Sequence, residues 1–210
     1  MAVDMKQRIF KSVVPLILVL SSLVSYPAYA WYRHQRYDTY TTDSTQPFEV
    51  PATGTIEVAF SPNEGSEALV IKTIDSAKSE IKVLAYSFTS APITEALIRA
   101  RHRGVNVALV VDYKDNVKED RSGKSRAALS ALVNAGCEVR TISVYSIHHD
   151  KTIIVDRQTV ETGSFNYSAA AAHRNSENVI VLWSNPRLAQ VYLGHYERNY
   201  RQSEPFNMAY

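Results

Sequence analysis

Val105-Asn106-Val107-Ala108-Leu109-Val110-Val111-Asp112 is a nearly continuous apolar run, with Gly104 before it and a polar loop from Tyr113 to Gly123 after it. Strands covered by helices on both faces read this way, because neither face is left to water. Working outward, Ile93 to Arg103 has helical character and ends at Gly104, a helix stop. Before it, Ile81 to Phe88 is again apolar and β-branched, and Ser66 to Ser79 carries Leu69, Val70, Ile74 and Ala77 as a helix face would. Ile56 to Phe60 has strand composition. Downstream, a helix from about Lys124 to Ala135 closes at Gly136 and a strand follows from Cys137 to Ile142. This alternation predicts an α/β fold: a mixed, largely parallel β-sheet flanked by helices, joined by right-handed crossovers. The second half supplies the mixed part. Thr152 to Val155 and Thr159 to Thr162 are separated by Asp156-Arg157-Gln158 and read as a hairpin. Asn178 to Trp183 is a further strand, and Pro186 opens a last helix running to about Arg201. No internal repeat is evident.

The 210 residues are 45% hydrophobic and 21% charged, an ordinary globular composition for one domain or at most two. Of the 23 cations and 21 anions, Lys6, Arg8, Lys11 and Asp4 lie in the first 30 residues, which leaves 20 of each sign in the other 180. A uniformly basic nucleic-acid coat is thereby excluded beyond residue 30, and any polyanion must be met by locally placed cations. The lone Cys137 excludes an internal disulfide framework and a cysteine-rich zinc site. Lys6, Arg8 and Lys11, the apolar stretch Val13 to Val24 and the small residues of Ala28-Tyr29-Ala30 predict a signal peptide over residues 1–30. Cleavage is expected after Ala30, with export, most simply to a periplasm. The apolar stretch is too short for the roughly 20 residues of a membrane span, so no stable span is expected in the mature chain. Residues 31–52 read as an extended arm or tether and 53–210 as the folded domain.

The chemistry concentrates at His149-Asp150-Lys151, which leads into Thr152-Ile153-Ile154-Val155-Asp156, followed by Gly163-Ser164-Phe165-Asn166. On a strand, positions i and i+2 share a face, so His149 and Lys151 point the same way, as do Ser164 and Asn166 if that segment is extended. An imidazole, an ammonium, a hydroxyl and a carboxamide converging on one spot form a cradle for a tetrahedral anion. Gly163 would let the backbone approach closely.

His149, Lys151, Asp156, Gly163, Ser164 and Asn166 match the HxKxxxxDxxxxxxGSxN signature of the phospholipase D superfamily, which this chain resembles without departure in residue or spacing. Six identities at fixed spacing would arise by chance in such a chain about once in 10⁵. Ala85-Tyr86-Ser87-Phe88-Thr89, the strand to Asp112, Val160 to Asn166 and Asn175-Ser176-Glu177-Asn178 resemble the small bacterial endonuclease (Nuc-like) branch. The resemblance implies an α-β-α sandwich. Many superfamily members carry two HxK motifs, whereas here no other His is followed at i+2 by Lys. A homodimer is therefore implied, with the active site at its interface. In the roles so implied, His149 attacks phosphorus to form a phosphohistidine, and the second copy's imidazole protonates the leaving oxygen and then activates water. Lys151 would neutralise the non-bridging oxygens, Ser164 and Asn166 would add hydrogen bonds, and Glu177 would orient the nucleophilic imidazole. Asp156 would buttress the site. No metal or other cofactor is called for.

The remaining polar residues carry blander expectations. His34, His102, His173 and His195 lack partners at motif spacing, and His148 is expected to face away from His149 in a structural role. Arg99, Arg101 and Arg103 read as a solvated helix face, while Lys114, Lys118, Arg121, Lys124 and Arg126 are candidates to border a groove. The chemistry fits any phosphodiester. A metal-independent, sequence-nonspecific endonuclease acting on DNA and possibly RNA is one reading, a phospholipase D acting on lipid head groups a second, and an inert binding or scaffold module a third.

Overall fold

The computed structural model describes residues 47–207. The expected signal peptide and residues 31–46 of the expected arm lie outside them. The described end of the arm, residues 47–52, has no regular structure and is tied down where Asn185 Nδ2 donates to Pro51 O at 3.1 Å.

Five helices and a short π-helical turn accompany eight strands. In chain order they are β1 (Thr55–Ser61), α1 (Ser66–Asp75), β2 (Glu80–Ala85), α2 (Ala91–His102), β3 (Asn106–Asp112), the π turn (Lys114–Lys118), α3 (Lys124–Asn134), β4 (Glu138–Ile142), β5 (Lys151–Val155), β6 (Thr159–Gly163), α4 (Ala169–His173), β7 (Glu177–Trp183), α5 (Pro186–Arg201) and β8 (Glu204–Pro205). The strands form one sheet in the order β1-β7-β6-β5-β2-β3-β4-β8. The sheet is mixed, as expected, but its parallel part is smaller than "largely parallel" implied. Only β2–β3 and β3–β4 pair in parallel, and the other five pairings are antiparallel. Parallel neighbours need a crossover, and α2 and α3 provide the two that exist; the short turn from β5 to β6 leaves room only for reversal.

Burial follows the two faces. Ile81, Val83 and Ala85 of β2, Leu109 and Val111 of β3, Ile153 and Val155 of β5 and Val179 and Val181 of β7 pack against α1, α2 and α3 on one side. Leu84, Val110, Ile154 and Val160 face the other way and meet Ala189 and Tyr196 of α5. Alternate residues of the same strands thus serve opposite layers, as the period of two requires. The apolar run that decided the fold class is β3, buried on both faces from Val107 to Asp112.

The hairpin falls where it was expected. Asp156 and Arg157 both have positive φ, 51° and 59°, and Gln158 N donates to Val155 O at 3.0 Å, the geometry of a primed turn matched to strand twist. Two non-glycine residues hold this conformation because their side chains are anchored, Arg157 Nε to Glu80 Oε1 at 2.6 Å and Asp156 as described below.

Candidate active site

Strand register gathers most of the motif at one end of the sheet. Ala85 pairs with Lys151, Thr152 with Thr162, and Gly163 with Val179. The start of β5, the end of β6, the start of β7 and the carboxyl end of β2 therefore lie side by side. In open α/β sheets the carboxyl ends of the parallel strands are where ligands bind, because loops there are free to diverge.

His149 sits just before β5 and not on it, and is exposed, whereas Lys151 is the first strand residue and is buried. They nonetheless converge. Lys151 Nζ reaches back to donate to His149 O at 2.7 Å and lies 5.2 Å from the centre of the Tyr86 ring, and the His149 and Tyr86 rings are 4.7 Å apart at 51°. Burial pushes the Lys151 amine below its ordinary range, opposed by the charges of Asp150, Glu177 and Asp115.

Ser164 and Glu177 form one hydrogen-bonded unit. Ser164 Oγ donates to Glu177 Oε2 at 2.6 Å and accepts from Asn178 N at 3.1 Å, while Asn175 Nδ2 donates to Glu177 Oε1 at 2.9 Å. Both Glu177 oxygens are thus engaged within the chain, and neither of these bonds is to the His149 ring. Asn166 is half-buried and its Oδ1 is enclosed with no hydrogen-bond partner among the described residues. Gly163 has φ 153°, and a Cβ there would lie 2.2 Å from Asn178 O. The close approach expected of this glycine is made to β7 of its own sheet.

Asp156 lies apart from the others, about 16 Å along β5 from Lys151 at the usual rise per residue. Its carboxylate accepts from Lys78 N at 2.9 Å, Ser79 N at 2.8 Å, Ser79 Oγ at 2.7 Å and Glu80 N at 2.9 Å. Burial works to raise its pKa, but the bonds from Glu80, Ser79 and Lys78 hold it below the usual carboxylate range. It clamps the loop between α1 and β2 to the hairpin, at the opposite end of β5 from the other motif residues.

Two groups had no assigned place in the sequence reading. Asp150, the middle residue of the HxK triplet, accepts from His195 of α5 at 2.9 Å and lies 3.4 Å from Nδ1 of the buried His148, whose backbone N–H donates to Asp112 at 2.8 Å. Burial pulls the His148 pKa down, outweighing the charges of Asp150 and Asp112. Tyr86 was read only as part of a family-like segment; its contacts with both His149 and Lys151 need the fold to be seen. The arginines of α2 are structural: Arg99 and Arg103 pair with Asp75 at 3.1 and 3.5 Å, and Arg101 Nε donates to Gly136 O. Of the loop cations, Arg126 holds its own loop through Val117 O and Asp120 O, and Lys114 lies 3.7 Å from Glu119. Among the described residues no three His, Cys, Asp or Glu side chains gather as a metal site, and no helix is long and apolar enough to cross a membrane.

An exposed imidazole beside a buried ammonium, with a hydroxyl–carboxylate pair and a carboxamide on neighbouring strands, is suited to nucleophilic attack on an anionic tetrahedral centre. Comparison with known proteins agrees. A sequence profile described as "Cardiolipin synthase, PLD-like domain" matches residues 70–200. The chain is similar in structure to Nuc from Salmonella typhimurium, a phospholipase D family member, with 42% identity and a TM-score of 0.69 over 73% of this chain and 98% of that one. NucT from Helicobacter pylori shares the fold at 23% identity and a TM-score of 0.64, over 72% and 99% of the two chains. A relative from Rickettsia felis named phospholipase D is 40% identical over 66% of this chain and 66% of its own length. The mouse mitochondrial cardiolipin hydrolase is 25% identical, over 68% of this chain and 62% of its own.

Proposed function

The chain belongs to the phospholipase D superfamily, in its Nuc-like branch, and is a phosphodiester hydrolase; from that premise we propose that it is a metal-independent, sequence-nonspecific endonuclease acting on DNA as a homodimer. The observation that carries this reading is the likeness to Nuc, which spans nearly the whole of that chain, beside a single HxK motif in this one. In the proposed reaction His149 attacks phosphorus, and a nitrogen–phosphorus bond forms as the bond to the leaving oxygen breaks. The partner's His149 gives its proton to that oxygen. It then takes a proton from water, whose oxygen displaces the imidazole from phosphorus. Lys151 and Asn166 face the non-bridging oxygens, where negative charge must be met in the transition state. Glu177, with Ser164 and Asn175 fixing its oxygens, supports the charge of Lys151 and in this reading orients the nucleophilic imidazole. Asp156 acts through the hairpin alone.

The test is supercoiled plasmid with the purified protein in EDTA, beside His149→Ala. Nicking and degradation by the parent only is the expected result, and an inactive parent overturns the reading. A lipid reading has its own support in the Rickettsia relative's name and in the exposed Val144, Tyr145 and Ile147, which form an apolar rim just before His148. Choline release from phosphatidylcholine vesicles without DNA cleavage would put it first. Export is proposed on the residues 1–30 pattern, and N-terminal sequencing that begins at Trp31 is the expected outcome.

A further inference from the structure

Tyr86 stands one residue beyond β2, at the carboxyl end of the sheet, and its backbone is held from two sides. Its N–H donates to Asp150 O at 2.8 Å, and its carbonyl accepts from Asn116 Nδ2 at 2.5 Å. Asn116 is fully buried in the π turn and also accepts from Phe88 N at 2.9 Å and donates to Asp112 O at 2.8 Å. A π-helical turn is rare, and this one stands by itself between β3 and α3. Here the turn holds the tyrosine's backbone through Asn116 and brings Asp115 near it, so that burial first and the Asp115 charge second push the Tyr86 hydroxyl above its ordinary range.

The ring so fixed is not a core aromatic. Phe88, Phe165 and Tyr167 nearby are wholly buried, whereas Tyr86 is half-exposed at the mouth of the site. Its contacts are the two side chains the chemistry uses, the His149 imidazole at 4.7 Å and the Lys151 ammonium at 5.2 Å. His149 itself precedes β5, so the strand ladder does not fix its direction, and an exposed imidazole on two rotatable bonds needs something to hold it. A flat ring against one side of it does so, and the same ring's negative face suits a cation.

We propose that Tyr86 is a positioning residue for phosphodiester cleavage, its ring fixing the direction of the His149 imidazole and the seat of the Lys151 ammonium while Asn116 of the π turn holds its backbone. The proposal rests on the hydrolase reading above, and it concerns orientation and not binding. A misplaced nucleophile lowers the rate of the chemical step while leaving the grip on the phosphate chain nearly unchanged.

The experiment compares Tyr86→Phe and Tyr86→Leu with the parent on a fluorescent oligonucleotide in EDTA. Tyr86→Leu is expected to lower kcat by about tenfold or more with KM within about twofold, and Tyr86→Phe to recover kcat to within about threefold, because the ring and not the hydroxyl makes the contact. A Leu variant with parental kcat overturns the proposal, as does a Phe variant as slow as Leu, or a loss confined to KM. A second readout needs no turnover: in the resting protein, the ring protons of His149 are expected to stay sharp and ring-current-shifted in the parent and Phe variant and to lose the shift in Leu. If the parent cleaves no phosphodiester, the hydrolase reading fails, and this spectrum still decides whether Tyr86 orders the imidazole. Unchanged His149 resonances in the Leu variant overturn the positioning claim.

Discussion

Strand β5 has two ends, and the motif puts a charge at each: Lys151 at the first and Asp156 just past the last. At the Asp156 end every carboxylate oxygen is met, by three backbone N–H groups and a hydroxyl. At the Lys151 end a buried ammonium has a backbone carbonyl and an aromatic ring for company, an imidazole stands exposed, and the Asn166 oxygen has no hydrogen-bond partner among the described residues. One end is satisfied by the fold and the other awaits a ligand. Stability and reactivity are thus separated along a single five-residue strand, which is why one signature can contain both.

Lys151→Met is the sharpest way to test that contrast. Cleavage should fall by about two to three orders of magnitude, as when a preorganised charge is removed from a developing anion. The melting temperature should hold or rise, since a partly desolvated amine has been replaced by an apolar chain of similar length; a clear drop would show the site end to be structural after all. Asp156→Ala should do the reverse. A loss of about 2–4 kcal/mol in a urea titration is expected from several charge-assisted bonds, with the surviving folded enzyme cutting at a near-parental rate. Because the folded Asp156 titrates below its unfolded value, its contribution is fully present above about pH 4 and is lost as pH falls through the folded pKa.

Glu161 sharpens the comparison from the middle of β6. It is wholly buried, burial pushes its pKa up to about 8 against a hydrogen bond from Tyr167 that lowers it, and Oε1 has no partner among the described residues. The folded state holds this proton and the unfolded state releases it from about pH 4.5 upward, so stability should decline between there and about pH 8. Glu161→Gln should flatten that decline, visible as a melting-temperature gap over the parent that widens from pH 5 to pH 8. The smallest effect is expected for Ser164→Ala. Its hydroxyl serves Glu177 more directly than any substrate, so kcat should fall by only about three- to tenfold, and a loss as large as that of Lys151→Met would mean direct contact with phosphate.

The parts of this molecule that could be read in one dimension are those encoded by runs. Val105 to Asp112 announced a buried strand, Asp156-Arg157-Gln158 announced a turn, and the spacing from His149 to Asn166 announced a phosphoryl chemistry. What escaped depends on partners far away in the chain. β8 is two residues long and exists because β4 offers it an edge; α4 is five residues between two loops; the π turn is held open by the bonds of Asn116. The same holds at the site. His195 was read as idle because nothing near it in sequence pairs with it, yet α5 brings it to Asp150 across 45 positions. Tyr86 lies 63 positions from His149, and no periodicity links them. The parallel share of the sheet was overestimated for a related reason: alternation shows that helices intervene early in the chain, but not how the later strands, joined by turns, will order themselves.

The two outer strands give the sheet unequal margins. β8 ends it with Glu204 and Pro205, two residues of which one has no N–H to offer, and Phe206 then turns inward to bond Val139 O. β1, seven residues long, is the opposite margin and shows Ile56, Val58 and Phe60 to solvent along one face. Strand addition is thus blocked by length and by proline at the β8 margin, and among the described residues β1 is the longer and more apolar of the two.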